Sequence, residues 1–345
     1  MKKSELPSIS ILTITYNPDI RVFKRMLESI RVQTFPKYKI EHIIVDGGSR
    51  KELVELGRSY GCTIIVRKDL RDQSEERRSY AVRKAKNDIV LWLESDNILQ
   101  EQTALSKLVQ PFIDDPKIIS TFTLHYGLNN RASLLDRYCA LFGTSDPVVF
   151  YLGKTDREPW YKEKYTKGKI IKRLPAYDVV EFNRDNLPTV GDNGFLTRRE
   201  VLLQAHIGPK DYVHIDVYVD LLKLGYYRFG VVRNTSIEHN IGNSLLRLVQ
   251  RRVLYAQRFT ISDTYLQKRR YFIFSINSLP DRLSLMKYVL FTVTWVEPMM
   301  LSIRGFIRVN NVAWFYHPIV CWLFLIYYMR YTFRAIFKLK NTKTI

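Results

Sequence analysis

The chain has 345 residues, 46% of them apolar and 26% charged, with a formal net charge of +20 at neutral pH, which leaves room for a substantial core and excludes a disordered or fibrous protein. Cys62, Cys139 and Cys321 lie far apart without CxxC or Cys/His spacing, so neither a disulfide framework nor a zinc site is indicated and a reducing compartment fits. The apolar stretch after Pro7 is too short, and too soon broken by Asn17-Pro18, to act as a secretory signal.

From Ile9 to about Leu105 apolar strands alternate with amphipathic helices, the pattern of a parallel α/β sheet covered on both faces. SISILTITYN reads as the first strand, and Phe23, Met26, Leu27 and Ile30 then recur at helical spacing. IEHIIVDGGS is a second strand ending in Gly47-Gly48, followed by the helix KELVELGRSYG, the short strand CTIIVR and the helix SEERRSYAVRKAK. In DIVLWLESDNIL a run of strand formers ends abruptly in Glu94-Ser95-Asp96-Asn97. These strands all end in polar residues: Thr15-Tyr16-Asn17, Asp46-Gly47-Gly48-Ser49 and Glu94-Ser95-Asp96. Open α/β sheets bind ligands beyond the carboxyl ends of their strands, so the clusters are expected to line one crevice.

Between about Gln110 and Asn240 the alternation loosens into loops rich in Tyr, Lys and Pro, such as YLGKTDREPWYKEKYTKGK, which suit binding or gating better than packing. TVGDNGFLTRREVLLQAHI predicts a Gly-rich turn before a helix, and VHIDVYVDLLKLGYYRFGVV a helix ended by Gly225 and followed by a strand. From Arg247 onward sixteen Lys and Arg face only Asp263, Asp281 and Glu297, interleaved with Trp, Tyr and Phe. That pairing suits an anionic membrane surface or nucleic acid. Val312 to Met329 is apolar with Pro318 inside, and as one helix it would reach about 27 Å, just short of a hydrocarbon core of about 30 Å. Arg304 and Arg308 precede it and Arg330, Arg334, Lys338 and Lys340 follow; because a spanning helix usually shows charge asymmetry, an interfacial helix is the expectation.

The ordered set ILTITYN, LESIRVQTF, HIIVDGGS, ERRSYAVRKAKNDIVLWLESDN, TVGDNGFLTRRE and HIDVYVDLLKLGYY, over roughly Ser8 to Asn240, resembles the family 2 glycosyltransferases. The resemblance implies an α/β GT-A fold, a Rossmann-like, mostly parallel sheet, with an α-helical apolar and basic C-terminal extension. Residues 1–245 would form the transferase domain, its nucleotide-binding half about 8–105 and its acceptor half about 106–245, and 246–345 a membrane-associating region. The implied activity is inverting transfer of a sugar from a nucleotide-sugar donor. A membrane-held acceptor, a polyprenyl-linked glycan in cell-surface polysaccharide synthesis, and a place on the cytoplasmic face of a bacterial inner membrane rest on the tail alone.

In the resemblance, Glu94-Ser95-Asp96 stands for the DxD motif, with Asp96 the ligand of Mg²⁺ or Mn²⁺, Glu94 replacing the usual first Asp, and His239 closing over the metal or diphosphate. A diphosphate leaving group develops charge as the sugar C–O bond breaks, and a cation held by one or two carboxylates neutralises it. Asp46 would read the base or ribose within a pocket walled by Thr15, Tyr16 and Asn17, and Arg78, beside Arg77, would approach the diphosphate. Counting back from Gly225 places the base at Asp216 or His214, Asp216 ahead because an anion better serves an oxocarbenium-like centre; Asp192 is a third candidate and better placed as an acceptor contact. The rival readings are a catalytically inactive homologue serving as scaffold, and a nucleic-acid-binding protein. The second is disfavoured because a soluble RNA binder has no use for long exposed apolar runs.

Overall fold

The computed structural model describes residues 6–260 and 269–342, and the side chains of 257–260 and 334–342 lie outside that description. Asp263 and the side chains of Arg334, Lys338 and Lys340 therefore lie outside the described residues. The chain forms two compact units, one of residues 1–127 and 164–240, the other of 128–163 and 241–345.

The first unit holds a nine-stranded sheet in the order β3-β2-β1-β4-β9-β6-β10-β8-β7. Its first half is β1 (Ile9–Thr15), β2 (Ile40–Asp46), β3 (Thr63–Val66) and β4 (Ile89–Trp92), all mutually parallel. Every residue of β1 is buried, because it lies between β2 and β4 with both faces covered, which explains its unbroken apolar run. Helix α1 (Ile20–Arg31) turns Phe23, Met26, Leu27 and Ile30 inward, each stabilising the unit by about 1.5–3 kcal/mol. Its start is fixed by Asp19, whose carboxylate accepts from the Arg21 and Val22 amides at 2.9 and 3.2 Å.

Helices α2 (Lys51–Ser59), α3 (Ser74–Lys84) and α4 (Ala104–Asp114) alternate with these strands and with β5 (Asn97–Leu99) and β6 (Ser120–Thr123). The remaining strands are β7 (Lys169–Arg173), β8 (Tyr177–Glu181), β9 (Phe195–Arg198), β10 (Arg228–Val232) and β11 (Ile237–His239). Following the pairings across the sheet, only β8 and β9 run against the other seven strands. The α/β architecture with a mostly parallel sheet is as the sequence implies. One difference lies at FLTR, expected to enter a helix directly after the Gly-rich turn. It is instead β9, antiparallel to β4 and β6, and only the single turn Arg199–Leu202 follows. Four residues cannot display a period long enough to separate strand from helix.

Strands β5 and β11 form a separate antiparallel pair with register Ile237↔Leu99, Glu238↔Ile98 and His239↔Asn97. Arg25 of α1 clasps the Glu238 carboxylate through both oxygens at 3.0 Å.

The second unit is helical and differs in extent from the expected boundary at 245. The chain enters it at Ile241, close to that expectation, but it also takes in Leu128–Glu163. The reason is hydrophobic: Tyr138, Leu141 and Phe142 of the helix Leu134–Phe142 share a core with Leu248, Val249, Trp314, Val320 and Phe324. The apolar segment near the end is not one helix. Val312–Tyr316 is a 3₁₀ turn and the long helix begins at His317, so Pro318 sits in a first turn, where its missing N–H costs nothing. Val312–Phe333 is long and apolar enough to cross a membrane, with mean hydropathy 1.5, yet 44% of the window is buried within the structure.

Candidate active site

The loop after β2 is built around Asp46. Its carboxylate accepts from Thr15 Oγ1 at 2.9 Å, the Gly48 and Ser49 amides at 2.8 and 2.7 Å, and the Ser49 hydroxyl. Ser49 Oγ also accepts from the Asn17 amide at 2.8 Å, and Asn17 Oδ1 accepts from the Arg50 amide at 3.0 Å. Asp46 and Thr15 are both buried while Tyr16 is exposed, so the expected nucleotide wall presents Tyr16 and Asn17, with Asp46 holding the loop in shape behind them. Arg77 locks the same corner by donating to the Thr15 carbonyl. Gly47 permits this, since a β-carbon there would lie 2.7 Å from the guanidinium. Asp46→Ala will therefore strip the acceptor from the buried Thr15 hydroxyl and the half-buried Gly48 and Ser49 donors, at about 1–3 kcal/mol for the buried one if left unpaired, and a lowered urea midpoint without donor present checks it. An unchanged midpoint would leave Asp46 only a ligand role.

At the end of β4, Asp96 and His239 face one another, Oδ2 to Nε2 at 3.6 Å. The β5–β11 register puts His239 opposite Asn97, and the Asn240 amide donates to the Asp96 carbonyl at 2.9 Å. Asn97 ties two loops together by donating to Asp96 Oδ1 at 3.2 Å and to Asn193 Oδ1 at 3.1 Å. Gly194, at φ +87°, closes the second loop where a β-carbon would clash with Ile237. Among the described residues, no group of three or more His, Cys, Asp or Glu forms a ready-made metal cage. The carboxylate and imidazole pair nonetheless fits a cation that takes few protein ligands and completes its shell with phosphate oxygens and water.

Next to this pair lies a second cluster, assembled on Arg78. The guanidinium is 2.7 Å from Glu94, 3.9 Å from Asp192 and 3.9 Å from Glu75, and lies over the Trp92 ring. Burial works against its charge, but Glu94, Glu75 and Asp192 outweigh burial and hold it firmly protonated. Burial, with help from Asp192 and Asp96, pushes Glu94 up to about 7 against the pull of Arg78. Arg78, expected at the diphosphate, is buried and paired with Glu94.

The third side of the cluster is His214. Its Nδ1 is 2.9 Å from Glu75 Oε1 and its backbone amide donates to Glu75 Oε2 at 2.9 Å, while Nε2 lies 3.8 Å from Asp192 Oδ2. Burial opposes protonation of the ring, yet Glu75 prevails and raises its affinity for a proton. Despite its own burial, Glu75 is held down to about 2 by His214 and Arg78. The backbone of His214 packs against Gly191, at φ +112°, where a β-carbon would meet the His214 carbonyl at 2.7 Å. The Gly-Asp-Asn-Gly loop is therefore glycine-rich partly to let His214 and Asp192 approach.

Asp216, placed ahead of His214 by the sequence, is completely buried in the first turn of the helix Asp216–Lys223. A carboxylate there favours the helix start and has no exposed surface from which to meet an acceptor. Glu75 was not singled out in the sequence: an acid in the first turn of α3 looks like an ordinary helix-start residue, and its partner lies 139 positions away.

Comparison with known proteins adds a family. A sequence model described as Glycosyl transferase family 2 matches residues 10–201. The fold is similar to that of a mannosyltransferase from Pyrobaculum calidifontis solved with GDP-Man and Mn²⁺, with TM-score 0.53 and 13% identity, covering 96% of this chain and 88% of that one. GalNAc-T7 solved with UDP, GalNAc and Mn²⁺ gives a TM-score of 0.48 at 15% identity over 82% of this chain and 54% of that one. Residues 1–349 of S. aureus TarS give 0.46 at 14% identity over 88% and 81%. No curated protein matches the sequence.

Proposed function

We propose that this chain, which belongs to glycosyl transferase family 2, is a glycosyltransferase that moves a sugar with inversion from a nucleotide-sugar donor to a hydroxyl of a membrane-held acceptor, with His214 as base. The observation that supports this most is the pairing of two complementary devices in one unit: the Asp96–His239 pair at 3.6 Å, and the His214–Glu75 dyad whose Nε2 points to Asp192.

The chemistry follows from which atoms are committed. Glu75 accepts a hydrogen bond from the Nδ1–H of His214, which leaves Nε2 with the lone pair a base requires. The acceptor hydroxyl, steered by Asp192, gives its proton to Nε2 as its oxygen bonds to the anomeric carbon. The bond from that carbon to the donor's phosphate oxygen breaks on the opposite face, and the electron pair leaves with the nucleoside diphosphate. Glu75 balances the imidazolium so formed beside the oxocarbenium-like centre. Asp96 and His239 would hold a divalent cation, which would supply charge neutralisation for a departing diphosphate. Tyr16 and Asn17 bound the nucleotide side.

The membrane-held acceptor, a polyprenyl-linked glycan on the cytoplasmic face of a bacterial inner membrane, is supported by the concentration of basic and apolar residues after Arg247. The test of the donor reading is thermal. One nucleoside diphosphate of those offered with Mn²⁺ will raise the melting temperature, because a ligand that binds only the folded state stabilises it by mass action. No shift with any common nucleotide would favour the scaffold reading, in which the Arg78–Glu94 pair is merely structural.

A further inference from the structure

Two neighbouring helices of the second unit, Leu279–Thr294 and Val296–Arg308, each carry a row of apolar side chains on the outside. On the first, Leu279, Leu283, Met286, Leu290 and Val293 are exposed, Met286 to 67%. On the second, Val296, Met300, Ile303 and Ile307 are exposed, Ile307 to 79%. Steps of four and three residues place each set on a single face, and contiguous apolar surface of this extent marks an interaction site.

Charge decides what kind of partner fits. Arg282, Lys287, Arg304 and Arg308 on the same two helices are all exposed. The two acids there turn inward: Asp281 is buried and pairs with Lys154 at 2.9 Å, and Glu297 accepts from the Tyr151 hydroxyl. Trp295 joins the helices in a left-handed backbone conformation, φ 62°, with 41% of its surface exposed, a strained placement for a non-glycine residue and an aromatic suited to a headgroup layer. A groove of about 570 Å³ lined by Tyr161, Met300, Ile303, Arg304, Ile307 and Arg308 adjoins the second stripe. Arg304 lies over the Tyr161 ring at 4.9 Å and Arg308 pairs with Glu163. Apolar walls beside two guanidinium groups match an acyl chain with a phosphate head.

We propose that these two helices lie flat on a bilayer of anionic phospholipid, their stripes sunk to the acyl boundary and the Tyr161–Arg304–Arg308 groove holding a lipid phosphate. This deepens the membrane-held reading above and rests on it. It also separates the docking surface from the long helix His317–Thr342, whose Cys321 and Phe324 are sealed in the core.

The experiment is flotation of the full chain with phosphatidylcholine vesicles, with and without phosphatidylglycerol, read beside donor hydrolysis in the absence of vesicles. The wild type will float with the anionic vesicles only. Met300→Glu with Ile307→Glu will stop flotation, and Arg304→Gln with Arg308→Gln will weaken it about twenty-five-fold, each cation near the surface being worth roughly a factor of five. Both double variants are at exposed positions and will keep the wild-type melting temperature and hydrolysis rate. Flotation of the variants equal to wild type overturns the proposal, as does a wild type that ignores vesicles and binds a labelled RNA instead. Flotation of a wild type that hydrolyses no donor would sustain the docking surface and sink the transfer reading, so the two fail separately.

Discussion

Replacing His214 by alanine will lower kcat about 10²- to 10⁴-fold, the usual contribution of a positioned general base, while the KM for the donor changes little. Because the base works only when neutral and Glu75 raises its proton affinity, the acidic limb of the kcat–pH profile will lie above the ordinary imidazole range near 6.5. Glu75→Gln removes the carboxylate that favours the charged ring, so burial is left to dominate and the limb will move to lower pH. Rates measured from pH 5 to 9 with saturating donor and acceptor check both statements. A His214→Ala enzyme with near wild-type kcat, or a Glu75→Gln profile that does not move, would remove the dyad from the mechanism. Asp216→Asn supplies the contrast: at a sealed helix start it will cost stability before it costs rate.

Asp96→Ala will reduce metal-dependent transfer by about 10²-fold or more, since neutralising a departing diphosphate is worth several kcal/mol in the transition state. His239→Ala will cost less, because water can take the place of one neutral ligand on a hard cation. Titration calorimetry with Mn²⁺ and the nucleoside diphosphate separates lost binding from lost chemistry. Equal turnover by wild type and Asp96→Ala would detach the cation from this strand end.

Much of this site could be read in the sequence because its parts fall where strands end. The apolar runs of β1, β2 and β4 are buried on both faces and therefore conspicuous, and the polar residues that interrupt them, Asp46 and Asp96 among them, mark the carboxyl edge of the sheet. What the sequence withheld is orientation. Asp46 and Asp216 read as free carboxylates, but one is consumed by its own loop and the other is sealed, and neither fact has a local signature. Glu75 and His214 meet only because α3 and the Gly191 loop converge in space, and Leu128–Glu163 joins the helical unit through contacts with residues more than a hundred positions away. Chain separation of this kind leaves no periodicity to detect.

The three-rung pairing of β5 with β11 has a corollary for ion choice. In so short a ladder a shift by one residue would carry Glu238 into the place of His239. The contact of Arg25 Nη2 with both oxygens of Glu238 opposes that shift, and so keeps a nitrogen donor, not a second oxygen anion, across from Asp96. In the proposed reading, a remote arginine on a helix would thereby keep a neutral nitrogen donor at the cation site and disfavour Ca²⁺, which prefers an all-oxygen shell.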